Sequence, residues 1–394
     1  MSSYNRRTFP LILSLLACLG LAFATGFGAY LLWGETGLGG NSQHSESLGV
    51  FWEAWDRVEK HFYGELPSAQ ERTYGAIRGA LVLLDDPYTV FVEPQPRELE
   101  RDRLRGIFGG IGVDLWRDGE GRMALSPHPG SPAERAELRA GDILLAVDGQ
   151  AITAEVAVDA ARAWVRGEAG TTVTLTVSRP PTPPFDLTIT REEIELPSVV
   201  WRMVDGTTDV GYVHIETFTE RTDVEIVAAL QELQAATISG LVLDLRGNAG
   251  GLIEPAITTA SQFLRDGVVL FEQSRDDEVR ARPVGDGGIA TDMPMVVLVD
   301  GGTASAAEIV AGALQDYDRA PLIGEPTFGK GAVQLIYDLS DGSSLHVTSA
   351  LWLTPNRHQI EGEGLTPDVS VSRGSGPEDE QLARAVAFLE AGAE

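Results

Sequence analysis

The chain has 394 residues, room for two or three domains, and its 43% hydrophobic residues and 44 glycines fit a globular α/β protein. A formal charge of −28 argues against nucleic acid or an anionic membrane surface as partner. With one cysteine there is no internal disulfide, so stability must come from the core.

Residues 1–8 carry Arg6 and Arg7, and Phe9–Trp33 follows as 25 consecutive uncharged, mostly apolar residues. As a helix this run spans ~37 Å, enough to cross a ~30 Å hydrocarbon core. The basic flank predicts a cytoplasmic N-terminus and export of everything after the run. Ala22-Phe23-Ala24 offers a signal-peptidase site, but the run continues to Trp33, beyond an ordinary signal core of ~7–15 residues. A transmembrane anchor is therefore expected, with secretion after cleavage as the alternative. Leu15-Leu16-Ala17-Cys18 resembles a lipoprotein site only faintly, and the apolar residues after Cys18 speak against it.

Residues 34–49 read as a linker, with Gly37–Gly49 a polar, flexible stalk. Over residues 50–103 a helical region is expected. Phe51, Trp55, Val58 and Phe62, then Tyr74, Ile77, Leu81 and Leu84, recur at helical spacing on either side of a Gly64–Pro67 turn. Asp85-Asp86-Pro87-Tyr88-Thr89 ends the second helix.

Residues 104–181 resemble a PDZ domain. Gly109-Gly110-Ile111-Gly112-Val113 would open a strand whose N–H groups face a concave turn suited to a terminal carboxylate. Ser131-Pro132 is an N-cap and first-turn pair, Ile143–Val147 an apolar strand, and Ala154–Val165 the helix walling a peptide groove. Pro180–Pro184 reads as a loop at the domain's edge.

Residues 182–375 alternate strands (Val210–Ile215, Leu241–Leu245, Met295–Val299, Leu345–Leu353) with helices (Asp223–Ala236, Ile253–Leu264, Ala304–Leu314), an α/β core followed by a helical tail over 376–394. Asn248-Ala249-Gly250-Gly251 lies between a strand and a helix, where N–H groups can face an oxyanion; alone, such a turn is usually only a turn. No P-loop or dinucleotide fingerprint is present.

Ser305 and, 25 and 29 residues on, Lys330 and Gln334 carry the chemistry. A serine needs a base, and a lysine serves only when burial makes it neutral, a shift of ~3 pKa units. Gly329 and Gly331 allow close packing, Phe328 and Val333 can exclude water, and Gln334 can hold the amine without adding charge. A Gly-x-Ser-x-Gly elbow is absent, because Thr303 and Ala307 flank Ser305, and Glu308 stands where a Ser-x-x-Lys lysine would be. None of the six histidines has a carboxylate at a telling spacing, so no triad, metal or cofactor is indicated. A Ser–Lys dyad remains.

Four blocks place these residues in context: Gly130–Ala136 with Ala140–Leu144, Leu243–Leu252, Gly301–Ile309 through Ala313–Tyr317 to Gly324–Gly331, and Leu353–Pro355 with Gly362–Asp368. Through them the chain resembles, from Phe51 to Val371, the C-terminal processing peptidases (tail-specific proteases), Ser–Lys peptidases with a PDZ domain. Ala249 departs from the family's usual proline, as do Thr303 and Ala307 from its serines. The resemblance implies a crotonase/ClpP-like mixed sheet with helices, an inserted PDZ domain, and a serine endopeptidase acting on exported proteins chosen by their C-terminal tails. It implies Ser305 as nucleophile, Lys330 as base and Gln334 as its support, with oxyanion donors from Ala306 and from Gly250 or Gly251. Supporting roles fall on Glu308, Asp316 and Thr327, and a homodimer contact on the N-terminal helices. Two rivals remain: a catalytically inactive PDZ-containing peptide-binding protein, and a Ser–Lys amidase or esterase for small molecules.

Overall fold

The computed structural model describes residues 42–392 except 375 and 377. The expected anchor, Phe9–Trp33, lies outside the described residues. Among those described, no helix is long and apolar enough to cross a membrane.

The chain divides into two units at Ala76/Ile77. In the first, α1 (Ser42–His61) precedes the start of α2 (Ala69–Val82). Arg72 bridges Glu59 at 2.7 Å and lies over the rings of Trp52 and Trp55. Val58 and Phe62 are exposed, so the expected stripe is not a packed core here. The stalk reading is corrected from Ser42 onward, where the backbone is already helical. Extending a formed helix costs little per residue, and Gly49 alone does not stop it.

The second unit opens with β1 (Val90–Val92), α3 (Pro94–Arg105) and β2 (Ile107–Gly110). A small β-domain follows: β3 (Val113–Arg117), β4 (Met123–Pro127), α4 (Pro132–Arg135), β5 (Asp142–Val147), β6 (Gln150–Ala151), α5 (Val158–Val165), β7 (Thr172–Arg179) and β8 (Thr182–Thr190). Its sheet order is β3-β4-β5-β7-β8, with β6 on β5, leaving β3 as an open edge beside α5. Ser131 caps α4 by accepting the Glu134 N–H at 3.1 Å, with Pro132 in the first turn. The domain edge expected at 181/182 falls inside the β7–β8 hairpin, where Arg179 pairs with Thr182. The prolines that read as a breaker occupy its turn and the start of an edge strand, places where a missing N–H is tolerated. β9 (Glu192–Glu195) then returns to pair with β2.

The core consists of β10 (Val199–Met203), β11 (Val210–Ile215), α6 (Thr222–Ala235), β12 (Gly240–Asp244), α7 (Ile253–Ser261), β13 (Val268–Ser274), β14 (Val279–Pro283), β15 (Met295–Val299), α8 (Ala306–Asp316), β16 (Leu322–Gly324), β17 (Ala332–Asp338), β18 (Ser344–Leu353), β19 (Val369–Ser370) and α9 (Glu380–Gly392). One sheet runs β10-β11-β12-β15-β16-β19, parallel from β11 onward. Its middle strands are apolar throughout because both faces are covered. Leu241, Leu243, Val297 and Val299 pack with residues of α6, α7 and α8, whereas Val242, Val296 and Leu298 pack with Ala385 and Leu389 of α9. The second sheet runs β1-β18-β13-β14, with β17 on β18. The two sheets deliver different halves of the site.

Candidate active site

Ser305 sits at the N-cap of α8, just past the parallel strand β15, with φ 55° and ψ −118°. That backbone conformation is costly for a side chain and presents Ser305 on a sharp strand-to-helix turn. The elbow motif is absent from the sequence, yet the geometry has the elbow's character, produced here by Thr303, Ala304, Ala306 and Ala307, all buried. The turn is fastened by Thr303 Oγ1 donating to the Leu245 carbonyl at 2.8 Å and by the Ala304 N–H donating to the Asn248 carbonyl at 2.9 Å.

Glu308, one turn into α8 and 0% exposed, ties the Ser305 and Lys330 segments together. Its Oε2 accepts the Ser305 N–H (2.8 Å) and the Lys330 N–H (3.0 Å). Its Oε1 accepts the Thr327 hydroxyl (2.5 Å) and the Gly329 N–H (2.7 Å). Thr327 Oγ1 in turn accepts the Leu365 N–H at 2.7 Å. A buried carboxylate of this kind persists only when its acceptor sites are filled, and here they are. Gly329 is at φ 86°, where a Cβ would come within 2.7 Å of Gly364 N, so the base loop and the Gly362–Gly364 turn close on each other only through glycine.

Lys330 lies just before β17, its carbonyl held by Trp352 Nε1 at 3.0 Å. Its Nζ donates to Gln334 Oε1 at 2.6 Å, and a register shift between Val333 and Gln334 accompanies that placement. Burial pushes the amine below the ordinary lysine range, opposed by the charges of Glu361 and Glu100. Phe328 does not provide that burial as expected: it is 58% exposed. The ring of Tyr88, 5.2 Å from Nζ, stands over the amine instead. Gln334 donates through Nε2 to the Tyr88 carbonyl at 2.6 Å. Sequence reasoning missed Tyr88, and no spacing signal could link it to a partner 246 residues away.

Ser305, Lys330 and Gln334 line one cavity of about 450 Å³ with Ala249, Gly250 and Gly251. Gly250 and Gly251 take φ 106° and 136°, and a Cβ on Gly250 would lie 2.9 Å from the Ser305 Cβ, so this loop closes directly on Ser305. The Gly250 N–H is already committed to Asn248 Oδ1 at 2.9 Å. Asp316 is corrected out of the site. It lies at the opposite end of α8, accepting the Asn356 N–H at 2.7 Å and facing His358 at 3.7 Å. Eleven helical residues carry it roughly 16 Å along the axis.

In the β-domain, Gly109–Val113 forms the junction of β2 and β3. Its carbonyls are used: Gly109 accepts from Gly167, Ile111 from Ala133 and Gly112 from His128. The N–H groups of buried Ile111 and Gly112 find no partner among the described residues. Two further cavities, of about 670 and 710 Å³, share Leu99, Ala163 and Arg166. The second of them shares Arg103 and Thr217 with the Ser305 cavity, so the two cavities adjoin. Among the described residues no cluster of histidine, cysteine and carboxylates could hold a metal ion.

The peptidase family S41 model matches residues 209–371, and a PDZ-domain model matches residues 124–179. A carboxy-terminal-processing protease of Bartonella bacilliformis is 36% identical over 340 residues, 84% of this chain and 77% of the relative. A carboxyl-terminal-processing protease of Synechocystis sp. is 36% identical over 350 residues, covering 86% and 81%. A solved structure from Bacteroides fragilis, described as an S41 protease, aligns with TM-score 0.50 at 17% identity over 84% of this chain and 93% of its own, a likeness of fold alone. Fold and matches together define a serine peptidase with an embedded PDZ domain. The chain belongs to the carboxyl-terminal processing proteases of peptidase family S41. Neither an inactive peptide-binding protein nor a small-molecule amidase finds support in these relationships.

Proposed function

We propose that Ser305 is the nucleophile and Lys330 the general base of a peptidase that selects substrates by an exposed C-terminal tail. The observation that carries the reading is the Lys330 amine, half-buried and hydrogen-bonded to uncharged Gln334, on a segment whose Lys330 backbone N–H shares one Glu308 carboxylate oxygen with the Ser305 N–H. Neutral Lys330 takes the Ser305 proton as Oγ attacks the scissile carbonyl, then gives a proton to the leaving amine. Water activated by the same amine hydrolyses the acyl-enzyme. The oxyanion falls to the N–H groups of Ala306 and Gly251, since that of Gly250 is engaged by Asn248. Glu308 and Thr327 hold the two segments in place.

The tail enters the groove between β3 and α5, with its carboxylate at the Ile111 and Gly112 N–H groups, and the scissile stretch follows the chain of cavities to Ser305. Phe9–Trp33 anchors the enzyme with its core outside the cytoplasm, and the exposed apolar face of α1 makes a homodimer contact. N-terminal sequencing tests the anchor, since a mature start at Thr25 would refute it; sedimentation tests the dimer.

Ser305→Ala and Lys330→Ala should each abolish cleavage of an unstructured protein while leaving the fold intact, and the double variant should be no worse than either. Near-parental cleavage by Lys330→Ala would refute the dyad. Amidating the substrate's C-terminus should weaken capture at least tenfold, as charge-assisted hydrogen bonds are worth ~1.5–3 kcal/mol each. Equal capture of both tails would remove the PDZ turn as the carboxylate reader.

A further inference from the structure

Tyr88 reaches the site on a turn that comes from far upstream. The Asp86 carboxylate accepts the N–H groups of Tyr88 and Thr89, each at 3.1 Å, and the Thr89 hydroxyl at 2.5 Å. Thr89 Oγ1 accepts the Thr348 N–H of β18 at 3.1 Å, and β1, directly after the turn, pairs with β18. The turn is thus fastened to the sheet that carries Lys330 and Gln334.

From this position Tyr88 acts on the base in two ways. Its carbonyl can only accept, so Gln334 must spend its NH2 there and turn Oε1 toward Lys330. The Lys330 amine then donates to Gln334 and keeps its lone pair for another partner. The ring, 5.2 Å from Nζ, offers an electron-rich face that favours the ammonium over the neutral amine. Other groups facing the amine are few. Glu361 and Glu100 favour the ammonium, and Glu100 is itself paired with His346 (3.2 Å) and Arg97 (3.3 Å). The Glu308 carboxylate is spent on four donors, and Arg103 lies on the cavity wall.

We propose that Tyr88 is a positioning residue of the base: its ring seats the Lys330 ammonium between turnovers and sets the pH at which the amine can accept the Ser305 proton, while its carbonyl fixes the Gln334 amide. The inference rests on the Ser305–Lys330 reading. Sequence supplies the Asp86-Pro87-Tyr88-Thr89 turn, the turn supplies a rigid aromatic face, and the face tunes a proton acceptor.

Fluorinated phenylalanines test it against Phe as the reference, because each fluorine weakens the ring face with little change of shape, whereas the step from Tyr to Phe also removes the hydroxyl bonded to Glu361. The full chain, carrying Phe or its di- and tetrafluoro analogues at position 88, is assayed for kcat and KM across pH on an unstructured protein with a free-acid tail. Tyr88→Leu and Lys330→Ala run alongside. Phe keeps the ring face but frees Glu361, whose charge favours the ammonium, so its acid limb of kcat/KM should lie at or above that of the parent and sets the reference. Successive fluorination should move the limb stepwise to lower pH, and Tyr88→Leu by about half to one pH unit, with KM unchanged. A limb that stays put across the fluorinated series overturns the inference, as does a Phe variant that already behaves like Leu. Activity in Lys330→Ala would instead bring down the dyad itself, so the two failures are distinguishable.

Discussion

Replacing Glu308 by alanine strikes the site where its two halves meet. The carboxylate is wholly buried and accepts three backbone N–H groups and one hydroxyl at 2.5–3.0 Å. A single buried donor left unpaired costs ~1–3 kcal/mol. These four share one cavity that a water can enter, so their costs do not add, and breaking a buried charged network of this kind is worth about 3–5 kcal/mol. At about 2–4 °C per kcal/mol for a unit of this size, Glu308→Ala should melt roughly 6–20 °C below the parent. Glu308→Gln retains one oxygen. Turning its NH2 toward Thr327 still aims a donor at the Gly329 N–H, so roughly half the drop is expected. Because both Ser305 and Lys330 lose their shared anchor, kcat should fall about 100-fold or more in the alanine variant. Thermal melts and cleavage of an unstructured tail substrate measure the two effects. A melting point within about 2 °C of the parent, with cleavage nearly intact, would refute the claim that this carboxylate holds the site.

Lys330→Met should be inactive yet at least as heat-stable as the parent at neutral pH. Burial holds the folded amine's pKa below its unfolded value, so at neutral pH folding carries a cost for desolvating a lysine that is charged in the unfolded chain. That cost fades as pH approaches ~10, so melting curves of the two proteins should converge there, and a constant gap would contradict the argument. Gly251→Ala places a Cβ 2.1 Å from the Phe218 carbonyl oxygen at φ 136° and should destabilise by about 3 kcal/mol or more. Gly247→Ala, also at positive φ but with open space beside it, should cost only ~1–2 kcal/mol; equal melting points for the two would show that the contact is not limiting.

The sequence carried the pieces of the site that lie close together in the chain. Ser305, Glu308, Thr327, Lys330 and Gln334 span 30 positions, and glycines on either side of Lys330 announced a tight loop. Apolar runs such as Met295–Val299 announced buried strands, because a strand covered on both faces cannot alternate. Other features were set by tertiary contacts. Asp316 shares a helix with Ser305 but points to the far end, since helical rise separates residues that sequence makes near neighbours. Phe328 adjoins the base yet faces solvent, and its expected role passes to Tyr88, which arrives with β1. Which glycine N–H remains free was decided by the Asn248 side chain, and a motif does not show where a side chain bonds. The β7–β8 hairpin was hidden because its prolines read as a break, although an edge strand tolerates them.

The backbone at Ser305 would suit glycine better than any residue with a side chain. Selection for foldability alone would drift toward glycine at this position, so a serine held there records a trade in which stability is surrendered to chemistry. The mount is made largely by its neighbours, through Thr303, Asn248 and Glu308, with the Ser305 side chain adding only the capping-box bond from the Glu308 N–H. A cysteine at 305 would inherit the same presentation, which makes this turn a holder for exchangeable nucleophiles.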